Sequence, residues 1–261
     1  MKEIKDIAVV QIRIFPEDSI PYQLLGLPGK LKELKDKFKF AADDIPFPLY
    51  QLDTPKVILL RGGELIIENK TVLITLLAFD GRKITLEVAG RSNEADRVFL
   101  ELANFITSMV ERELLSEQRV LTKTEETECT LKLNVDYWEI FSDKMKGFIR
   151  NELYQMFERP IVSLAPKKLS FEVIYEQDPS LQRHNISYSP KNFVVEPRAN
   201  VPLEDKTFYT HSPFDSETHL KLVESFEKDF SHIESQKRTP TIAEPPVRYI
   251  RVKPKKKSSE K

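Results

Sequence analysis

The chain has 261 residues and a formal net charge of −1; 40% of its residues are hydrophobic and 31% are charged. This balance is typical of a folded protein with one large or two ordinary domains, and it excludes collagen-like and wholly disordered classes. No apolar run approaches the roughly 18 residues that a membrane-spanning helix needs, and the N-terminal residues lack the apolar stretch of a signal peptide. The single cysteine, Cys129, cannot form an internal disulfide, so we expect a cytoplasmic protein.

The near-neutral total conceals an uneven distribution of charge. Residues 237–261 contain nine Lys or Arg against two Glu, which leaves 31 basic and 39 acidic residues in 1–236. The sequence therefore predicts an acidic body followed by a basic C-terminal tail.

Residues 1–121 predict a first α+β half. The β-branched run Ile7 to Phe15 predicts a strand, and Lys30 to Phe40 a short Lys-rich helix. An antiparallel meander follows, with predicted strands Val57 to Arg61, Leu65 to Glu68, Val72 to Phe79 and Ile84 to Val88.

Short polar or glycine pairs separate these strands. Gly62-Gly63, Asn69-Lys70 and Asp80-Gly81 favour tight turns, because Gly, Asn and Asp tolerate the positive φ that such turns require. The long helix that closes this half has Ser92 as its predicted N-cap and a single apolar stripe, which we expect to lie across the meander.

Residues 122–236 predict a second α+β half with the same order of elements. Its polar beginning, Thr122 to Glu128, predicts a solvated connection or a strand end. A strand through Val135 follows, then a capping box at Asp136 and Glu139 that opens a helix ended by Pro160.

The remaining elements of the second half are four short strands and a helix. The predicted strands are Leu169 to Glu176, His184 to Ser189, Phe193 to Glu196 and Thr207 to His211. Asp215 is the predicted N-cap of the last helix, and Phe226 lies on its predicted buried side.

The repeated order of strand, helix, four-stranded meander and helix resembles the duplicated half of the TATA-binding-protein fold and its helix-grip relatives. In those folds curved sheets cradle long helices. The resemblance covers most of residues 1–236 and rests on topology, so it implies an internally duplicated architecture in which the two halves pack as one body. It carries no functional residue to this chain.

Catalytic and metal-binding chemistry has little support in the sequence. The one spacing that suits a metal ion is that of His211, Asp215 and His219, since imidazole and carboxylate are ordinary zinc and iron ligands. The last helix is predicted to begin near Ser216, so His211 lies outside it and the three side chains need not converge. We therefore predict no metal, no cofactor and no catalytic residue, and we lean towards a protein that is not an enzyme.

The strand Val72 to Phe79 is apolar on both of its faces. One face carries Leu73, Leu77 and Phe79, and the alternating residues of the opposite face are apolar as well. Something must cover the second face, either another part of this chain or a partner. We therefore predict that Leu73, Leu77 and Phe79 take part in protein contacts.

The C-terminal tail, residues 237–261, is predicted to be disordered, because its Pro- and Lys-rich composition buries too little apolar surface. Within it, a short alternating stretch can add as a strand to a sheet edge, and a lysine cluster can meet phosphates. The residues predicted to make these contacts are Arg248, Tyr249, Ile250, Arg251, Lys253, Lys255, Lys256 and Lys257.

Three classes of function follow from the sequence. The first is a non-catalytic binding or adaptor protein that contacts a protein partner, or a second copy as a homodimer, through the apolar sheet face and the tail. The second is a nucleic-acid-binding protein that uses the basic tail, although the acidic body repels phosphate. The third is a small-molecule binder or enzyme with a pocket between a helix and the sheet. We favour the first.

Overall fold

The computed structural model describes residues 3–17, 19–44, 57–153 and 166–231, and it confirms a mixed α+β fold. The strands are β1 (Glu3–Ile14), β2 (Ala42–Asp44), β3 (Ile58–Ile67), β4 (Lys70–Phe79), β5 (Lys83–Ala89), β6 (Thr122–Lys132), β7 (Leu169–Val173), β8 (Lys191–Pro197) and β9 (Thr207–Ser212). The α-helices are α1 (Tyr22–Leu25), α2 (Pro28–Phe38), α3 (Ser92–Val110), α4 (Asp143–Phe148), α5 (Pro179–Gln182) and α6 (Ser216–Ser231).

The strands of these described ranges form one antiparallel sheet in the order β2-β3-β4-β5-β1-β6-β9-β8-β7. β1 and β6 lie side by side at its centre, paired from Glu3 and Lys132 to Ile14 and Thr122. Of the two alternatives predicted for Thr122 to Glu128, the solvated connection is therefore wrong. These polar residues form the first part of the central strand β6, where their side chains find partners such as Asp96 for Lys123 and His211 for Glu126.

Three helices, α2, α3 and α6, pack on one face of the sheet. The apolar stripe of α3 is buried as predicted, with Ala95, Val98, Phe99, Leu102, Ala103 and Ile106 in the first-half core. α6 buries Val223 and Phe226 against Leu131 and Phe208 in a smaller second core. No helix of the described ranges is long and apolar enough to cross a membrane.

One irregularity determines which side chains of β3 and β4 face the helices. Thr75 is an extra residue relative to β5, since the register shifts between Ile74 and Leu76. Gly62 lies opposite Thr75 in β3 and has a φ of 65°, a conformation that favours glycine. The Gly62-Gly63 pair therefore does not make the predicted turn; β3 runs through it as a single strand.

The second half departs further from its predicted elements. Asp136 accepts a hydrogen bond from the Trp138 amide (3.0 Å), but it opens only a short 3-10 turn. α4 and a π-turn at Ile149–Leu153 follow in place of one long helix, and Pro160 lies outside the described residues. The predicted strand His184 to Ser189 is also absent from the described ranges, where α5 and a loop occupy this region.

Candidate functional site

The sheet face opposite α3 and α6 exposes aliphatic side chains. Leu73 of β4 is 51% exposed and Ile66 of β3 is 60% exposed. Leu59, Leu76 and Ala78 are half-buried on the same face, because they alternate with the buried residues of their strands. We call these five residues the outer patch.

The predicted contact residues of β4 fall on different faces. Leu73 belongs to the outer patch, whereas Leu77 and Phe79 are buried in the first-half core. The extra residue Thr75 reverses the alternation, so that Val72, Ile74, Leu77 and Phe79 all point towards the helices. Leu77 and Phe79 therefore pack between the sheet and the helices, where a partner cannot contact them.

The helix side of β1 holds a buried arginine that the sequence analysis missed. The Arg13 guanidinium donates to Gln11 Oε1 (2.6 Å), Asp96 Oδ1 (2.6 Å) and Glu117 Oε1 (3.3 Å). It also lies 3.9 Å from the ring centroid of Phe99. The sequence pattern that could have indicated this buried arginine is the alternation of Val9, Gln11 and Arg13, which puts two polar residues on the buried face of a central strand.

Two carboxylates and a lysine extend this network to the surface. Lys123 donates to Asp96 Oδ1 (2.6 Å) and to Glu125 Oε1 (2.7 Å). Burial opposes ionisation of Asp96, but hydrogen bonds from Lys123 and Gln11 outweigh it and lower its pKa. Burial likewise opposes the charge on Lys123, and its two carboxylate partners raise its pKa. Asp96 and Lys123 are therefore both ionised at neutral pH.

The N-terminal ends of α3 and α6 bond to each other beside this network. The Ser92 amide donates to Ser216 Oγ (3.0 Å), and the Ser216 amide donates to Ser92 Oγ (2.8 Å). Ser92 was predicted to cap its own helix; instead Arg91 is the N-cap, and the Ser92 hydroxyl serves α6. These two bonds hold the beginnings of the long helices together over the centre of the sheet.

Three cavities open around Lys123. They have volumes of about 430, 580 and 710 Å³, and Lys123 lines all of them. The smallest lies between β6, the start of α6 and the segment after β7. Glu125 lines that cavity and the largest one, so it stands at their junction.

His211 joins three strands on the outer face. Its Nδ1 lies 3.0 Å from the Asn192 carbonyl oxygen, and its Nε2 lies 3.1 Å from Glu126 Oε2. Both partners are acceptors, so only the imidazolium satisfies both contacts. The hydrogen bond to Glu126 raises the pKa of His211, and the same bond, with one from Lys191, lowers the pKa of Glu126 to about 2.

His219 has the opposite environment on the helix side of β9. Its ring is fully buried between Thr210 Oγ1 (2.9 Å from Nε2) and Ser212 Oγ (2.7 Å from Nδ1). Burial lowers its pKa to about 4, so it is neutral at pH 7. Asp215 caps α6 as predicted, by accepting from the Glu217 and Thr218 amides (3.0 Å each).

The three candidate metal ligands named from the sequence are therefore dispersed. His211 and His219 lie on opposite faces of the sheet, and each has its own hydrogen-bond partners. The described ranges contain no group of three or more His, Cys, Asp or Glu side chains that could hold a metal ion. Cys129 is buried, and burial raises the pKa of its thiol to about 12, so it is not a reactive thiolate.

The predicted contact residues of the tail, from Arg248 to Lys257, lie outside the described residues. Neither a protein-family model nor a curated protein matches the chain. A functional assignment therefore depends on the geometry described above.

Proposed function

We propose that this protein is a non-catalytic binding or adaptor protein that contacts a protein partner, or a second copy of itself, through the outer patch. The observation that carries the proposal is the exposure of Leu73 and Ile66 on adjacent strands. Ile66 pairs with Thr71, two residues before Leu73, so the two exposed side chains are diagonal neighbours.

The energetics favour contact through this patch. Burying one Leu or Ile side chain fully contributes roughly 1.5–3 kcal/mol, and the half-buried Leu59, Leu76 and Ala78 extend the apolar surface around the two exposed residues. Arg61 and Glu64, which pair with Leu76 and Leu73, lie between Leu59 and Ile66 along β3 and supply polar groups within the patch. Protein interfaces combine apolar side chains with polar groups that form hydrogen bonds to the partner.

The tail is the second contact element of the proposal. Its alternating stretch from residue 247 to 252 suits addition to a sheet edge, and its lysine cluster suits an acidic partner. Such a tail strengthens binding by keeping a second weak contact near the first.

The test compares a patch variant with a matched control. We expect Leu73→Asp with Ile66→Asp to abolish a dimer seen by light scattering, or to lose the partner recovered by crosslinking and pull-down from the native cells. Leu100→Asp is the control, because Leu100 is 57% exposed but lies on α3. The proposal loses its support if the wild-type protein is a monomer and the patch variant recovers the same proteins as the wild type.

We also propose that the two halves descend from one duplicated unit related to the TATA-binding-protein and helix-grip folds. From the central β1/β6 pair, the strands β5, β4 and β3 follow on one side, and β9, β8 and β7 on the other. The reciprocal hydrogen bonds between Ser92 and Ser216 join the N-terminal ends of the two closing helices, which fits the same correspondence between the halves. An experimental structure whose halves superpose on fewer than about half of their residues would contradict common descent.

A cytoplasmic location is part of the proposal. The single cysteine is buried with a free thiol, which suits a reducing compartment. Cell fractionation with an antibody to the protein tests this, and recovery in the secreted fraction would overturn it.

A further inference from the structure

The cavity of about 430 Å³ beside β6 combines aromatic rings with carboxylates. Its aromatic residues, Tyr175, Tyr188 and Phe214, are all half-buried, so part of each ring remains accessible. Its carboxylates are Glu125, Glu176 and Asp215. The volume lies within the range of small-ligand pockets.

The two tyrosines are held by their hydroxyl groups. Tyr175 donates to the Pro213 carbonyl oxygen (3.1 Å), and the Tyr188 hydroxyl bonds to Thr122 Oγ1 (2.8 Å). The Gln177 side chain bonds to both the amide and the carbonyl of Tyr188 (3.2 and 2.9 Å). The ring centroids of Tyr175 and Tyr188 are 5.6 Å apart. The rings are therefore positioned in advance of any ligand.

Glu125 has accepting capacity that the described structure does not use. Its Oε1 accepts from Lys123 and from Gln11 Nε2 (3.0 Å), whereas its Oε2 is buried and has no hydrogen-bond partner among the described residues. The side chain is 12% exposed. A buried oxygen left without a hydrogen-bond partner is costly. Glu125 lines the cavity and the terminal torsion of a glutamate is soft, so rotation of its carboxylate is the movement that would make Oε2 available to a ligand there.

The cavity carries a surplus of negative charge. Lys123 is the one basic side chain among the described residues that line it, and Asp96 and Glu125 already engage that ammonium. Asp215 uses its carboxylate to cap α6, and its charge offsets the positive N-terminal end of that helix. The cavity therefore repels anions and favours a cation.

We propose that this cavity binds a guanidinium group. A planar guanidinium stacks on aromatic rings and donates hydrogen bonds to carboxylate oxygens, which matches a cavity lined by Tyr175 and Phe214 and the unused oxygen of Glu125. The group can belong to a free small molecule or to an arginine side chain of a peptide. This chain itself carries Arg248 and Arg251 beyond α6. The site is separate from the outer patch, so either proposal can fail alone.

The first experiment measures binding of arginine amide by isothermal titration. The protein is the full chain with Arg248→Gln and Arg251→Gln, so that its own arginines do not compete. We expect a dissociation constant in the millimolar range or tighter, and at least about tenfold weaker binding of citrulline amide, the neutral analogue. Equal affinity for the two amides, or no heat with either, would overturn the proposal.

The second experiment locates the site with matched variants. Tyr175→Leu and Glu176→Gln should each weaken arginine amide binding, by roughly five- to tenfold for the tyrosine. Tyr209→Leu and Glu172→Gln are the controls, since both residues lie outside the cavity. Glu176 is exposed, so its variant keeps the test valid if Tyr175→Leu fails to fold. Unchanged affinity in Glu176→Gln and a folded Tyr175→Leu would place binding elsewhere and refute the site.

The source of the guanidinium is tested with a synthetic peptide of residues 245–257. Binding at least tenfold tighter than that of arginine amide, and lost when both arginines become glutamine, identifies a polypeptide ligand. A peptide no tighter than arginine amide identifies a small molecule. A peptide that binds equally well without its arginines contradicts guanidinium recognition.

Discussion

The two halves of the sheet meet their long helices through different chemistry. Behind α3, strands β4 and β5 of the first half present aliphatic and aromatic residues such as Leu86 and Phe79. Behind α6, strand β9 presents the hydroxyls of Thr210 and Ser212, which bond to His219. The first arrangement is stable when the volumes and shapes of its apolar side chains fit together, whereas the second requires every buried polar atom to have a hydrogen-bond partner. Similar helix positions are thus compatible with two kinds of core.

The largest expected effect is in the apolar half. Phe99→Ala should lower the free energy of unfolding by about 3–5 kcal/mol, because it leaves a cavity in the core. It also removes the ring that stacks on Phe15 (centroids 6.2 Å apart) and that faces Arg13. Urea unfolding measures the change. Leu100→Ala, at an exposed neighbouring position, should change stability by only about 0.5 kcal/mol.

The next effect is in the polar half and tests whether its hydrogen bonds matter as a set. His219→Leu should cost about 1–3 kcal/mol, since the buried Ser212 hydroxyl loses its partner and the Thr210 hydroxyl keeps only the Cys129 carbonyl oxygen. Adding Thr210→Val and Ser212→Ala should restore most of this loss, because no buried polar atom of the set then remains. A triple variant that is less stable than His219→Leu would show that the polar chemistry itself is required.

A smaller loss of stability is expected from variants at the contact between the N-terminal ends of α3 and α6. Ser92→Ala and Ser216→Ala each remove one helix-terminal hydrogen bond and should each cost about 1 kcal/mol. Thermal unfolding of both variants should give similar losses, because the two bonds are reciprocal. Ser108→Ala within α3 is the control, since its hydroxyl bonds only to its own helix. A large loss in one variant alone would mean that the two helix ends are not equivalent.

At neutral pH the smallest effect concerns the charge of the two histidines, whose pKa values, measured by NMR, should be shifted in opposite directions. His219 has a folded pKa of about 4, below its unfolded value, so its contribution to stability is lost as the pH falls from about 6.5 towards 4. The folded pKa of His211 is raised, so its contribution is present below about 6.5 and is lost as the pH rises through the folded pKa.

The variant His211→Gln should therefore remove the loss at high pH and leave the low-pH loss that His219 causes. In the wild-type protein Glu126, with a folded pKa of about 2, should add a further loss as the pH falls below about 4.5, and His211→Gln should reduce this loss because it removes the main cause of the lowered pKa. If the imidazole signals of His211 and His219 titrate together near pH 6.5, the assigned environments are wrong.

The elements governed by strong local patterns could be predicted from the sequence. The stripe of α3 and the cap of α6 by Asp215 follow from a period of 3.6 residues and from side-chain hydrogen bonding to the helix terminus. The polar segment 122–128 could not be placed, because its position in the central strand depends on pairing with β1, more than 100 residues earlier. Its neighbours in the fold, not its own composition, determine its structure.

The candidate sites show the same limit. The exposure of Leu73 could be predicted as an apolar residue on a second face, but the burial of Leu77 and Phe79 could not, because the extra residue Thr75 reverses the alternation. The cavity of Tyr175 and Tyr188 was not predicted either. Its rings are brought to Glu125 by a loop where the pattern indicated a strand.

The pairing of Gly62 with Thr75 has a consequence for how such a sequence can change over generations. Deletion of Thr75 alone would exchange the buried and exposed faces of either the beginning or the end of β4. Deletion of one residue from β3 alone would exchange the two faces of part of β3 in the same way. Only the loss of both together restores a regular hairpin. The two positions therefore depend on each other, and we expect sequences that descend from this chain to keep both residues or to lose both.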